Sequence, residues 1–174
     1  MQTDPMTQLA ELLSGTRAQA VITQHRISPS TVYDFQYRSI IVTAGFFILR
    51  QRSGLTRVRA AELKLAQFVA MRPWLLNVLR DWSASQRHPQ PSLLTSERLR
   101  RGFIGDAMHD RTVEFLTVRG VLNRTDTHLV AGSNVGLAEG WYSEVVKAEL
   151  FARERATFAA VAEIPVTERM LEGW

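Results

Sequence analysis

Residues 110–130, DRTVEFLTVRGVLNRTDTHLV, decide how this chain is to be read. An amphipathic segment runs to Gly120, the apolar pair Val121 and Leu122 opens a strand, and Asn123 to Thr127 turns it back toward His128, Leu129 and Val130. Apolar side chains recur at helical spacing up to the glycine and at short, strand-like spacing beyond it. Upstream, Ser96 can cap a short helix through Arg101, and Gly102 to Gly105 break it. Asp106 can then cap the helix that leads into the quoted stretch.

A short helix, a turn, a longer helix and a two-stranded wing make up the order of a winged helix over residues 96–131. Along the longer helix, Met108, Thr112, Phe115 and Leu116, with Val113 beside them, form the expected inner stripe. Asp106, Asp110 and Glu114 follow at i, i+4 and i+8 on the other side, with His109 and Thr117 alongside. A helix that reads DNA enters the major groove between phosphates and relies on Arg, Lys, Asn or Gln. An outward row of carboxylates would repel the duplex. The helix dipole explains aspartates in the first turn without any partner, but it accounts poorly for Glu114. Arg98, Arg100, Arg101, Arg119 and Arg124 at the wing tip are the candidates for phosphate contact, against solvated or ion-paired surface roles for each.

Outward from this segment the sequence is helical, so the expected fold class is mainly α, a helical bundle with a winged-helix module and its small β-hairpin. Residues 1–82 read as an N-terminal helical part. Within it, residues 5–19 form a short amphipathic helix with Leu9, Leu12 and Leu13 inward, and Pro29 lies in the connector that follows. Tyr33 to Gln51 form a buried core helix, although Ile40, Ile41, Val42 and Thr43 would also suit a strand. Thr56 can cap a helix to about Met71. Pro73 can start another, WLLNVLRDW, with Trp74, Leu75, Val78, Leu79 and Trp82 on or near one face.

Residues 83–95, with Pro89 and Pro91, read as a loop. Residues 132–174 read as a long helix and tail. Its inner stripe is Leu137, Trp141, Val145, Ala148 and Ala152, and it runs to about Glu163 before Pro165. Val166, Met170 and Trp174, four apart, make an apolar ridge beyond it. Trp141 and this ridge are candidate protein contacts, for a partner or for a second copy of the chain.

At 174 residues the chain can bury about 70% of its unfolded surface, enough for a substantial core. Cysteine is absent, which excludes disulfides, thiolate zinc sites and thiol nucleophiles. The ten-residue apolar run Ile40–Leu49 is about half of a membrane span. Asp4 and Glu11 argue against a secretory leader at the N-terminus, so a cytoplasmic protein is expected.

Charge is unevenly placed. Residues 35–103 hold twelve basic side chains against three acidic ones, a surplus of nine, while residues 104–174 hold seven against eleven, a deficit of four. Arginine supplies nineteen of the twenty-one basic residues. That composition suits forked contacts with phosphate or carboxylate, and arginine-rich codon usage would produce it too.

Catalytic motifs are absent. His109-Asp110 lacks the further ligands a metal site needs, and His25, His88 and His128 have no ligand spacing. Gly132-Ser133-Asn134 is not a phosphate loop, and no GxSxG elbow occurs. The glycines at 132, 136 and 140 suit turn and helix-start roles better than membrane helix packing. No enzymatic role and no cofactor or metal is expected.

The succession IIVTAGFFILRQ, RAAELKLAQFVAMRP, WLLNVLRDW and DRTVEFLTVRGVLNR resembles the small middle components of bacterial three-component ABC ATPase systems. It is also similar to the kleisin-interacting, tandem winged-helix partners of SMC-type ATPases. The likeness covers about residues 33–131 and rests on length and pattern, with one wing visible where a tandem would have two. It implies a non-enzymatic adaptor that bridges or regulates an SMC-like ATPase, often in anti-phage defence. A winged-helix DNA-binding transcriptional regulator is the alternative.

Overall fold

The computed structural model describes residues 35–54, 56–85, 103–168 and 170. The helices expected at residues 5–19 and 96–101, most of the 83–95 loop, Arg98, Arg100, Arg101 and Trp174 lie outside them. The described elements are α1 (Phe35–Ser53), β1 (Arg57–Arg59), α2 (Ala60–Ala70), α3 (Leu75–Ser85), α4 (Ala107–Val118), β2 (Leu122–Thr125), β3 (His128–Ala131), α5 (Val135–Lys147) and α6 (Ala152–Ala162). The fold is mainly helical, with one small antiparallel sheet.

Helix α1 is the axis of the core. Tyr37, Ile40, Ile41, Val42, Phe46, Phe47, Ile48 and Leu49 are all buried, so the helix is covered on every side. That all-round apolarity settles the Ile40–Thr43 cluster as helix. Ser39 and Thr43 fall on it as well, and each returns its hydroxyl to the carbonyl four residues back, Phe35 at 2.9 Å and Ser39 at 2.8 Å. Helices α2, α4 and α6 pack around α1. On α6, Glu154 is buried and accepts from the Tyr37 hydroxyl at 3.4 Å. Burial first, and then the Glu154 charge, raise the pKa of that phenol.

The sheet gains a strand that the sequence pattern did not suggest. Thr56 does not cap a helix. Residues 57–59 form β1, and α2 begins at Ala60 with Arg59 in the N-cap position. The triplet RVR alternates exposed, buried and intermediate, so Val58 faces the core while β1 pairs with β3, Val58 opposite Leu129. The strand order is β1-β3-β2, so a strand from far upstream lies beside the hairpin.

The third helix starts at Leu75, after a turn made by Pro73 and Trp74. Leu75, Leu79 and Trp82 are buried as expected, but Trp74 is 55% exposed and off the inner face.

The single long C-terminal helix is in fact two. Helix α5 ends in a Schellman arrangement, with the Leu150 N–H donating to the Val145 carbonyl at 3.1 Å and Glu149 N–H to Val146 at 3.1 Å. Glu149 (φ 55°) and Phe151 (φ 54°) are both left-handed, and the chain leaves the α5 axis before α6 starts. Ala148 and Ala152, expected inward, are exposed, while Glu154, Thr157, Phe158 and Val161 supply the buried face of α6.

Candidate interaction surface

Helix α4 carries the segment on which the functional reading turns, and both of its ends are fixed by polar contacts. At the N-terminus, Asp106 is the cap, its Oδ1 accepting the His109 N–H at 3.1 Å. At the C-terminus Gly120 takes φ 69°, and the Val121 N–H reaches the Leu116 carbonyl at 2.9 Å. Asn134 Nδ2 donates to the Arg119 carbonyl at 2.8 Å. Gly132 closes the base of the hairpin, its N–H bonded to the Val121 carbonyl at 3.0 Å. A Cβ on Gly132 would stand 2.2 Å from the Gly120 carbonyl oxygen, so only glycine fits there.

The expected row of three outward carboxylates is reduced to two. Asp106 faces inward, where Arg38 Nη1 of α1 donates to its Oδ2 at 2.6 Å, and the two side chains are only 11% and 5% exposed. A capping residue sits off the helical path, so projecting the i, i+4 pattern back from Asp110 misplaces it. Asp110 and Glu114 do face solvent. Asp110 takes Lys64 of α2 at 3.3 Å, and its own side chain is 62% exposed.

Ala107, Asp110, Arg111, Glu114 and Val118 are the exposed positions of α4 and fall on one stripe at helical spacing. Arg111 lies between the two carboxylates. Val118 is 79% exposed, and Ile104, just ahead of the cap, is 59% exposed.

His109 was expected beside the outward acids and is instead buried. Its Nδ1 is hydrogen-bonded to Gln67 Oε1 of α2, and Gln67 is itself buried. The imidazole pKa is lowered to about 4, chiefly by burial and next by the nearby Lys64 charge, with Arg38 adding to the effect; Asp110 and Asp106 oppose it. Among the described residues, no group of three or more His, Asp or Glu side chains could hold a metal ion. No helix among them is long and apolar enough to cross a membrane.

The other expected contact residues belong to the interior. Trp141, Val166 and Met170 are 2%, 8% and 2% exposed and sit in the apolar core, so none of them offers a surface for a partner or a second copy. The tail folds back over the body. Arg59 Nη2 donates to the Val166 carbonyl at 2.5 Å, and Ser83 Oγ donates to the Pro165 carbonyl at 3.3 Å. Val166 and Met170 are therefore covered by the chain itself.

Of the arginines in the described residues, Arg119 places its guanidinium 5.3 Å from the Phe115 ring centroid. Arg124 is exposed, and its Nε reaches the Asp126 carbonyl at 3.5 Å. Sequence reasoning missed Arg38, Lys64, Gln67 and Arg111. For Arg38, Lys64 and Gln67 there was no local signal, because the contacts are made by helices far away in the chain.

No protein-family model, curated protein or solved structure matches the chain.

Proposed function

We propose that this chain is a non-enzymatic adaptor that presents the exposed face of α4 to another protein. One observation carries the reading. The stripe Asp110, Arg111, Glu114 and Val118 puts two carboxylates and an exposed valine where a base-reading helix needs donors. Its single arginine, Arg111, stands between two carboxylates that offset its charge. A mixed, partly apolar helical face of this kind suits a protein surface.

Topology supports the module. Helix α1, strand β1 and helix α2, then α3, then α4 and the β2–β3 hairpin with β1 beside β3, give an order compatible with a winged helix carrying α3 as an additional helix, in which α4 would take the place of the recognition helix. The sequence resemblance to middle components of ABC ATPase systems supplies the partner class, an SMC-like ATPase in a bacterial multi-subunit complex, with anti-phage defence as its setting.

Co-expression with an ATPase encoded beside this chain tests the reading. Wild type should co-purify at fixed stoichiometry. Reversing Asp110 and Glu114 to Arg together with Val118→Asp should abolish the complex while the variant remains folded by circular dichroism. A complex indifferent to all three changes rules out the α4 face.

The second reading, a DNA-binding regulator, is favoured by Arg124, exposed on β2 two residues before the Asp126–Thr127 turn. It predicts tight duplex binding with a steep salt slope, weakened by changing Arg98, Arg100 and Arg101 to Glu.

A further inference from the structure

The interior between α2 and α4 holds polar groups where apolar packing would be more stable. His109 (3% exposed) and Gln67 (1% exposed) meet across it, and Gln67 Nε2 is buried with no protein acceptor among the described residues. A half-satisfied buried pair of this sort is a cost that an apolar pair of the same volume would avoid. His109 is in the first turn of α4, where the helix dipole disfavours a positive charge. The charged groups around it are Lys64 on α2, Arg38 on α1, and Asp106 and Asp110 flanking it on its own chain segment.

We propose that the His109–Gln67 contact is an acid-sensitive latch, which holds the first turn of α4 against α2 while the imidazole is neutral and opens when it is protonated. With Nδ1–H donating to Gln67 Oε1, neutral His109 needs nothing further. Protonation places a second N–H on Nε2 and a net charge in a buried site where Lys64 and Arg38 are already matched by Asp110 and Asp106, so burial is what opposes it.

The two halves of α4 are held differently. The first turn is tied by Asp106 to Arg38, His109 to Gln67 and Lys64 to Asp110, contacts that are all polar. The second half is anchored by Val113 and Leu116 in the core and by the Gly120 turn against the hairpin. Opening the first turn therefore exposes little apolar surface and can precede global unfolding.

Direction and size follow from linkage. The open state protonates at the ordinary histidine value of 6.5 and the closed state only near 4. Opening therefore becomes more favourable as pH falls from about 6.5, by about tenfold per pH unit and about 300-fold in all, and is constant below about 4.

Amide hydrogen exchange between pH 4 and 7, with rates corrected for intrinsic pH dependence, tests this on the full chain. Protection of the first-turn amides of α4 should fall by that factor while α6 amides hold theirs, and His109→Asn should remove the pH dependence. The latch is overturned if α4 and α6 lose protection together, if α4 loses none, or if the loss persists in His109→Asn. Should that variant not fold, the ring-proton shift of His109 in wild type decides. A midpoint far below 6.5 that accompanies α4 opening supports the latch, and one near 6.5 overturns it.

Discussion

Replacing Asp106 by alanine probes how α4 is held, because one carboxylate serves two structures. Its Oδ1 caps the helix through the His109 N–H, and its Oδ2 takes the Arg38 guanidinium at 2.6 Å in a site where both side chains are nearly covered. Losing an N-cap costs about 1 kcal/mol. Removing one member of a buried ion pair costs about 3–5 kcal/mol, because the other charge stays behind in the interior. Since both effects share one side chain, Asp106→Ala should destabilise by about 4 kcal/mol, short of their full sum.

Two further variants separate the contributions. Asp106→Ser keeps a capping oxygen and should recover about 1 kcal/mol of that loss. Adding Arg38→Met removes the buried charge itself and should restore a further 2–3 kcal/mol or so. Urea denaturation followed by circular dichroism gives the free energies, with an unchanged slope confirming that the denatured state is the same. The reasoning is refuted if Asp106→Ala costs less than about 1 kcal/mol, or if the Arg38→Met, Asp106→Ser pair is no more stable than Asp106→Ser alone.

Other substitutions and conditions have equally definite outcomes. Gly132→Ala forces a Cβ to 2.2 Å from the Gly120 carbonyl and should cost about 3 kcal/mol or prevent folding, measured by thermal denaturation. Glu149→Gly relieves a left-handed glutamate at the end of α5 and should stabilise by about 0.5–1 kcal/mol on the same assay. His109 binds its proton more weakly folded than unfolded, so it favours the folded state above pH 6.5, and that contribution is lost as pH falls toward 4. The loss amounts to roughly 3 kcal/mol. Subtracting the pH profile of His109→Asn from that of wild type isolates it from the carboxylates.

The local pattern carried much of this fold. Helix α1 was legible because a ten-residue apolar run bounded by Ser53-Gly54 has few other destinations in a chain of this size. The hairpin was legible from an apolar pair on either side of a polar turn. Strand β1 was not, since RVR is three residues long and becomes a strand only because Leu129 lies opposite Val58. The break between α5 and α6 was equally hidden, because it uses left-handed Glu149 and Phe151 where a glycine would have announced it.

At the candidate surface, the burial of His109 is legible from its position in the sequence. Residues 109, 112, 113 and 116 stand at i, i+3, i+4 and i+7, the spacing of an inner stripe, and the structure buries all four. Helical position outweighs the polarity of the imidazole here, because Gln67 meets it inside. Asp106 was misplaced by extending helical geometry to a capping residue. The buried ion pair it makes with Arg38 joins residues 68 apart in sequence, which no local pattern encodes.

Titrating a labelled DNA duplex with the wild-type chain over a salt series tests most directly whether α4 faces a protein or nucleic acid. The adaptor account predicts weak, sequence-independent affinity, on the order of 10⁻⁴–10⁻⁶ M at physiological salt, unchanged when Asp110 and Glu114 are replaced by Ala. Sequence-selective binding near 10⁻⁸ M or tighter would contradict it, since α4 would then be reading the groove past its own carboxylates.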